Sequence, residues 1–407
     1  MDEGANSNSG SSPGPVTDTA VLPAQPEGAL SRGDQGSASA ATPAGVPRPE
    51  AEDGRWAGNH RRRGRQGRPR ERGPFYAALD LGTNNCRLLI AEPSRDGFRV
   101  VDSFSRIVRL GEGVAQNGRL GADAMERALG ALSICRQKLD LRPMAGVRLI
   151  ATQACRIAEN GGAFLDRVRD ETGLELEIVD RRTEARLAAE GCFSLLDPEA
   201  EGAVLFDIGG GSSEIVWLDR RKMHRRDGLV RAWVSLPVGV VTLAERHGGV
   251  DVDERVFESM VDDVRSEFHR FRARDALKSA VASRAFHYLG TSGTVTTLAG
   301  VHLDLPRFDR RRVDGLWMED DDIELMMTKL RGMDYAARRE NPCIGRERAD
   351  LVLAGCAVFE AIRREWQCSR LRVADRGLRE GILMQLMRAD GLLGQRQRPE
   401  AESARAQ

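Results

Sequence analysis

The 407-residue chain lacks several patterns that mark whole classes of proteins. It contains no CxxC pair, no HExxH segment and no His-Asp dipeptide, and its six histidines are scattered. The odd number of cysteines, seven, fits reduced thiols and predicts no disulfides. We therefore expect no histidine-based metal site, and a metal that acts here would be held by oxygen ligands.

Long hydrophobic runs are also missing. The longest apolar stretch without a charge, residues 232–244, is too short to span a bilayer. The N-terminal region has no apolar segment of the kind found in secretory signals. We therefore expect a soluble, cytoplasmic protein with no membrane partner.

A net charge of either sign is absent, because 61 Lys and Arg residues balance 61 Asp and Glu residues. This neutrality argues against a surface that binds polyanions everywhere, but it averages over unlike regions. Residues 1–54 contain 31 Gly, Pro, Ser or Ala residues and no aromatic residue, which predicts disorder. Residues 55–72 hold eight arginines and one acid. This basic arm is either a solvated tail or a landing site for a polyanion, and it is the one segment that offers nucleic acid a binding site.

From residue 74 onward, apolar strands alternate with amphipathic helices. An apolar strand runs into the polar loop that begins at Asp80, and a second strand runs into a similar loop at Asp207, 127 residues later. This repeat predicts an internal duplication, with two α/β domains that flank a cleft. The expected boundaries are an N-terminal extension over 1–73, domains over 74–198 and 199–392, and a disordered tail over 393–407.

The loop after Asp207 has the composition of a phosphate-binding turn. Gly209, Gly210 and Gly211 let the backbone turn tightly and direct several amides at one oxygen, and Ser212 follows them. An acid beside such a site requires a cation between acid and phosphate, so that Asp207 is predicted to hold Mg²⁺. The alternative is a glycine-rich turn that binds nothing.

Two further loops add weaker signals. The Asp80 loop contains one glycine and alone is a weak indication of a phosphate site. Its similarity to the Asp207 loop strengthens that interpretation. The segment 290–294, Gly-Thr-Ser-Gly-Thr, precedes a predicted helix. Amides at such a helix start can receive an anion, although a simple helix cap is the plainer interpretation.

Six motifs in this order resemble the exopolyphosphatase and guanosine pentaphosphate phosphohydrolase (Ppx/GppA) family of the actin-like phosphotransferase superfamily. The resemblance covers about residues 75–390, and its motifs are Asp80–Asn84, Ala151–Arg156, Glu184–Leu187, Asp207–Glu214, Gly290–Thr294 and Leu378–Leu383. It implies a duplicated actin-like (ribonuclease H-like) α/β fold with two domains around a cleft. Because the chain ends soon after the last motif, it resembles the short, two-domain form.

The resemblance also implies roles for individual residues. Glu184 matches the glutamate that activates the attacking water, and Asp80 and Asp207 match the acids that hold Mg²⁺. Without the resemblance, Glu184 is only an acid in the first turn of a helix, where the macrodipole favours it. The residues implied to bind phosphate are Thr83, Asn84, Arg156, Gly209, Gly210, Gly211, Ser212, Ser213 and Arg379.

Three positions depart from the family pattern. Residues 180–183, Asp-Arg-Arg-Thr, precede Glu184 where the family usually has Ser-Gly and a second acid. Arg376 stands in place of a glycine, and Asn85 in place of a common serine. These changes put the local turn and the substrate preference in question but leave Glu184 in place.

The resemblance implies a Mg²⁺-dependent hydrolase that releases orthophosphate from the end of inorganic polyphosphate. Guanosine pentaphosphate offers the same terminal anhydride and stays an alternative substrate. An actin-like ATPase or kinase is the third hypothesis, and the motifs at Glu184 and Leu378 argue against it. The resemblance and the amphipathic helices are also compatible with a homodimer.

Overall fold

A computed structural model describes residues 73–95, 97–222 and 229–393. The predicted N-terminal extension up to residue 72, its basic arm, and the tail from residue 394 lie outside the described residues. Two mixed β-sheets form the framework. We call the part built on the first sheet the first lobe and the part built on the second sheet the second lobe.

The first sheet has the strand order β3-β2-β1-β4-β5. Strands β1–β2 and β2–β3 pair antiparallel, whereas β1–β4 and β4–β5 pair parallel. Strand β1 is almost wholly apolar, and its alternate side chains pack into two different hydrophobic clusters on the two faces of the sheet. The strands are β1 (Phe75–Leu81), β2 (Asn85–Ser94), β3 (Gly97–Ile107), β4 (Met144–Ala151) and β5 (Glu177–Ile178).

The second sheet repeats this pattern in the order β10-β11-β9-β6-β7-β8. Strands β6–β7 and β7–β8 pair antiparallel, and β6–β9 and β9–β11 pair parallel, as their counterparts do in the first sheet. The predicted duplication is therefore confirmed. The strands are β6 (Gly202–Ile208), β7 (Ser213–Asp219), β8 (Val230–Leu236), β9 (Phe286–Thr291), β10 (Trp317–Glu319) and β11 (Arg370–Ala374).

Helices connect and cover the two sheets. The α-helix Glu254–Ser266 is followed directly by a 3₁₀ turn, Glu267–Arg270. No helix in the described ranges is long and apolar enough to cross a membrane. The α-helices are α1 (Val114–Asn117), α2 (Ala122–Asp140), α3 (Gln153–Ile157), α4 (Gly161–Thr172), α5 (Arg181–Cys192), α6 (Val240–His247), α7 (Glu254–Ser266), α8 (Arg274–Ser283), α9 (Gly293–His302), α10 (Arg310–Val313), α11 (Asp320–Arg331), α12 (Tyr335–Glu340), α13 (Val352–Glu365) and α14 (Leu378–Ala389).

Helices α5 and α14 pack against each other with their backbones nearly in contact. A Cβ on Gly381 would lie 2.1 Å from the Leu187 carbonyl oxygen, and one on Gly191 would lie 1.9 Å from the Gly377 carbonyl oxygen. Glycine is therefore required at both positions. The expected boundaries place α14 in the second domain, yet α14 packs on β1 of the first sheet, and α5 also contacts β7 and β8 of the second sheet. These two helices carry Glu184 and Arg379 near their N-termini.

Candidate active site

A cavity of about 810 Å³ lies between the lobes, and residues of both hairpin loops line it. Ten of the twelve residues singled out from the sequence line this cavity. They are Asp80, Thr83, Asn84, Glu184, Asp207, Gly209, Gly210, Gly211, Ser212 and Arg379. The remaining two, Arg156 and Ser213, do not line it. The third loop also contributes, with Thr291, Ser292, Gly293 and Thr294.

The first hairpin loop is closed by a backbone hydrogen bond from the Gly82 amide to the Asn85 carbonyl, 2.8 Å long. Thr83 and Asn84 at its tip are buried. The β1–β2 register places Asp80 opposite Arg87. Burial raises the pKa of Asp80, and the cations Arg87 and Arg379 partly oppose that shift. The carboxylate of the first hairpin thus lies in partly cationic surroundings.

The second hairpin loop closes in the same way, with a 2.9 Å bond from the Gly209 amide to the Ser212 carbonyl. Here the β6–β7 register places Asp207 opposite Glu214. Burial raises the pKa of Asp207 to about 7, and the charges of Glu214 and Asp80 add to the shift. The second hairpin is therefore acidic on both strands.

The glycines of the second loop serve close approach and do not provide unusual backbone angles. None of the three has a positive φ. A Cβ on Gly210 would lie 2.9 Å from the Cβ of Thr83, and one on Gly211 would lie 3.0 Å from the Thr83 Oγ1. Their absent side chains allow the first loop to come into contact with the second across the cleft.

Glu184 lies in the first turn of α5. The helix begins after Asp180, whose side chain accepts a hydrogen bond from the Thr183 amide (2.6 Å). Arg156 donates from Nη1 to Glu184 Oε2 at 3.0 Å and to the Val179 carbonyl at 2.7 Å. Burial holds the pKa of Glu184 well above its ordinary value, the nearby Glu214 raises it further, and Arg156 opposes the shift. The site therefore contains a carboxylate that binds protons tightly.

Arg156 and Ser213 are not among the residues that line the cavity. Arg156 forms an ion pair with Glu184 through Nη1. Its Nε and Nη2 atoms are buried and have no hydrogen-bond partner. The Ser213 hydroxyl donates to the Val238 carbonyl at 2.7 Å in the core of the second lobe. That these two side chains contact phosphate stays a prediction.

Several cavity-lining residues were assigned no role from the sequence, most notably Glu214, Arg87 and Gln153. Glu214 is buried and accepts a hydrogen bond from the Ser235 hydroxyl at 2.8 Å. Arg87 follows Asp80 by seven positions, as Glu214 follows Asp207. Aligning the two hairpins on each other would have singled out both residues.

Two buried amide oxygens in the cavity lack a hydrogen-bond donor. They are Oδ1 of Asn84 and Oε1 of Gln153, and both residues are more than nine-tenths buried. Gln153 Nε2 donates to the Gly211 carbonyl at 2.8 Å, which fixes which end of the amide is the free acceptor. Ionised phosphates only accept hydrogen bonds, so these oxygens need water or a cation beside a phosphate ligand.

Arginines supply the positive charge of the cavity. Arg310 is neutralised by Glu380 at 2.7 Å and by Asp375 at 3.0 Å. Within the described ranges, five arginines line the cavity without an acid at ion-pair distance: the half-buried Arg87, Arg348 and Arg379, and the exposed Arg106 and Arg346. Burial lowers the pKa of Arg379, as expected for a cation held out of water. These uncompensated charges suit an anionic ligand.

The acids of the site do not form a closed metal cage. In the part of the chain that the structure describes, no group of three or more His, Cys, Asp or Glu residues is arranged to hold a metal ion. Asp80 and Asp207, the predicted ligands, both line the cavity. Two carboxylates of this kind suit a cation that keeps most of its own water.

Comparisons with known proteins cover both lobes. The sequence profile of the Ppx/GppA phosphatase family matches residues 89–390. Exopolyphosphatase 2 of Mycobacterium tuberculosis is 29% identical over 325 residues, which cover 76% of this chain and 98% of that protein. The crystal structure of an exopolyphosphatase-like protein has 29% identity and a TM-score of 0.68, covering 77% of this chain and 99% of that one. A Ppx/GppA family member from Aquifex aeolicus has 27% identity and a TM-score of 0.64, covering 78% and 98%. These comparisons confirm the predicted duplicated actin-like fold.

Proposed function

Because the chain belongs to the Ppx/GppA phosphatase family, whose members hydrolyse phosphoanhydrides, we propose that it removes the terminal phosphate of inorganic polyphosphate and releases orthophosphate. One observation carries the proposal: a single cavity combines the proton-binding carboxylate of Glu184 with the unpaired arginines Arg87, Arg348 and Arg379. The Mycobacterium tuberculosis relative, named exopolyphosphatase 2, supports the choice of polyphosphate.

In the proposed reaction a water oxygen bonds to the terminal phosphorus while the bridging phosphorus–oxygen bond breaks. Glu184 takes a proton from that water, and the shortened chain leaves with the bridging oxygen. A base is most effective when its pKa approaches the working pH, and burial beside Glu214 moves the pKa of Glu184 in that direction. Arg156 holds the carboxylate of Glu184 in place through its Nη1 atom.

The arginines and loops bind the phosphates. Guanidinium groups grip two phosphate oxygens at once, so Arg87, Arg348 and Arg379 suit the terminal and neighbouring phosphates. Thr83 of the first lobe and the glycine backbone of the second loop lie side by side at the cavity, so both would contact the transferring group. Fixed donors of this kind stabilise charge that develops during the reaction.

The residues present fit a Mg²⁺ ion. Asp80 and Asp207 would hold it, since two carboxylates plus substrate oxygens are the usual protein contribution to a Mg²⁺ site. The unpartnered oxygens of Asn84 and Gln153 would accept hydrogen bonds from its water molecules. When bound, the ion would neutralise part of the charge on the substrate.

Guanosine pentaphosphate is the second candidate substrate, and one observation favours it. Phe308, Pro342 and Ile344 give the cavity an apolar portion. A linear polyphosphate has no group to place against such a surface, whereas a nucleoside has. Polyphosphate stays the first candidate because the arginines and both hairpin loops suit a phosphate chain whether or not it carries a nucleoside.

We place the reaction in the cytoplasm. All seven cysteines are free and buried, as is usual for proteins of reducing compartments. Fractionation of cells that produce the tagged full-length chain tests this location, and recovery outside the cytoplasmic fraction would contradict it.

The test of the function is an assay of phosphate release from each substrate, with and without Mg²⁺. Wild type should act on polyphosphate with the higher kcat/KM, and Glu184→Gln should lower that value by about 10²–10⁴-fold because the general base is lost. The matched control is Glu171→Gln, which changes an exposed acid that pairs with Arg167 on α4. A higher kcat/KM for guanosine pentaphosphate would favour the second candidate, and equal rates in wild type and Glu184→Gln would exclude Glu184 as the base.

A further inference from the structure

Residues 108–113, which we call the clasp loop, lie directly after β3 and bind the tip of the first hairpin. The Val108 and Arg109 amides both donate to the Asn84 carbonyl, at 2.9 and 3.0 Å, and the Gly111 amide donates to the Thr83 carbonyl at 2.8 Å. A Cβ on Gly111 would lie 2.2 Å from the Thr83 Cγ2. The clasp loop and the phosphate-contacting tip of the first lobe are therefore one packed unit.

The same loop reaches across the cleft to the second lobe. Arg109 donates to both carboxylate oxygens of Asp350, at 2.9 and 3.0 Å, and to the Glu347 carbonyl at 3.0 Å. The Gly113 amide donates to Glu245 Oε1 at 2.8 Å. Two separate points of the clasp loop thus hold the lobes together outside the cavity, and the Arg109–Asp350 pair has the two-pronged geometry that makes such bonds strong.

The acceptors in the second lobe are tied to its own part of the site. Asp350 follows Arg348 by two positions, and the Leu351 amide donates to the Arg348 carbonyl at 3.0 Å. Glu245 lies on α6, whose first amides, at Val240 and Val241, donate to the Gly209 and Gly210 carbonyls. Movement of the clasp loop would therefore move phosphate-contacting groups of both lobes relative to each other.

The backbone of Arg109 is held in a strained conformation. Its φ of 47° lies in the left-handed region, which residues other than glycine rarely adopt. Such strain persists only where the surroundings impose it. Arg127 contributes to this restraint, because it donates from Nε to the Val108 carbonyl at 2.9 Å and pairs with Glu112 at 2.8 Å. The fold thus holds Arg109 where its side chain meets Asp350.

We propose that Arg109 is a positioning residue that, through Asp350, holds the tip Thr83–Asn84 at working distance from the second lobe. This inference rests on the proposed function, because it assigns the closed cleft to the binding of a terminal phosphate. Neither Arg109 nor Asp350 lines the cavity. Losing their bond lowers the fraction of molecules in the binding-competent form, and the apparent affinity falls by that fraction. The maximal rate changes little, because bound substrate itself bridges the lobes.

The kinetic test compares Arg109→Gln, Asp350→Asn and the double variant of the full chain on polyphosphate with Mg²⁺. We expect each single change to raise KM about tenfold and to leave kcat within about threefold of wild type. The double variant should resemble either single variant, because both remove one shared bond. Arg119→Gln is the control, since it breaks an exposed 3.0 Å pair with Glu159 within the first lobe.

The second readout needs no substrate. Hydrogen exchange of the ligand-free chain should be about tenfold faster over residues 108–113 in Arg109→Gln and Asp350→Asn, and unchanged in Arg119→Gln. Unchanged exchange and KM, additive effects in the double variant, or a fall in kcat at constant KM would each overturn the proposal. If Arg109→Gln does not fold, Asp350→Asn decides by the same measurements. If wild type does not act on polyphosphate, the proposed function fails. The exchange data then still decide whether Arg109 and Asp350 hold the clasp loop to the second lobe.

Discussion

The two hairpins of the cleft share a backbone plan but carry opposite charges at one equivalent position. Across β1–β2, Asp80 faces Arg87, whereas across β6–β7, Asp207 faces Glu214. The spacing between partners is seven residues in both hairpins. One copy therefore offers its aspartate a cation, and the other offers a second acid.

This difference changes the electrostatic surroundings of the two aspartates. The pKa of Asp80 is raised by burial and lowered by Arg87 and Arg379, whereas the pKa of Asp207 is raised by burial and then by Glu214 and Asp80, to about 7. Repulsion among carboxylates makes the second hairpin the stronger candidate for a cation. The first hairpin, with its arginine partner, is better suited to phosphate.

The largest expected effect tests that division through Asp207. Asp207→Asn should lower kcat/KM by about 10²-fold or more and raise the Mg²⁺ concentration needed for half-maximal activity, because a charge beside the reacting phosphate is removed. Asp80→Asn should have the smaller effect on the Mg²⁺ requirement, because the nearby positive charges of Arg87 and Arg379 disfavour a cation at Asp80. Initial rates over a Mg²⁺ titration give both values. A larger shift in Asp80→Asn would reverse the assignment.

A second prediction concerns the contact between the loops. Gly210→Ala should lower kcat/KM about tenfold, because its Cβ would press on Thr83 and move the two loops apart, and small displacements at a reacting centre are costly. Gly82→Ala is the matched change in the other hairpin, and its nearest new contact lies at 3.4 Å. Its activity should stay near that of wild type. Equal losses in both variants would show that the glycines matter for turn formation alone.

The smallest expected effect is a shift of the pH profile of kcat/KM. Glu184 must be ionised to accept a proton, so activity falls as the pH drops through its raised pKa. Arg156 lowers that pKa and Glu214 raises it. Arg156→Gln should therefore move the acid limb of kcat/KM to higher pH, and Glu214→Gln should move it to lower pH, each by about one unit. If the acid limb moved in the same direction in both variants, Glu184 would be excluded as the titrating group.

Much of the fold could be predicted from local sequence. Apolar strands that end in Asp80 and Asp207 predicted the duplicated hairpins, and ten of the twelve selected residues line one cavity. The edge strands β3 and β8 were not predicted. Both have polar residues and half-exposed positions because only one neighbour and one face bury them, which weakens the apolar signal.

Two of the twelve selected residues, Arg156 and Ser213, do not line the cavity, and the structure shows why. Successive side chains of a strand point to opposite faces, so when Glu214 lines the cavity, Ser213 must face the core. Arg156 is drawn to Glu184, a partner 28 residues away that only the folded chain brings to 3.0 Å. The domain boundaries stay predictions, and the packing of α14 on β1 shows how far the chain crosses between lobes.

The sequence alone determined the duplicated α/β plan, the two acidic loops and Glu184, because these depend on residue order within short segments and on a family resemblance. Only the tertiary structure decided which charges face each other: Arg87 opposite Asp80, Glu214 opposite Asp207, and Arg109 against Asp350 across the cleft. The physical reason is that electrostatic and packing interactions depend on distances in space. Strand register and lobe contact set those distances, and neither is encoded in any single segment.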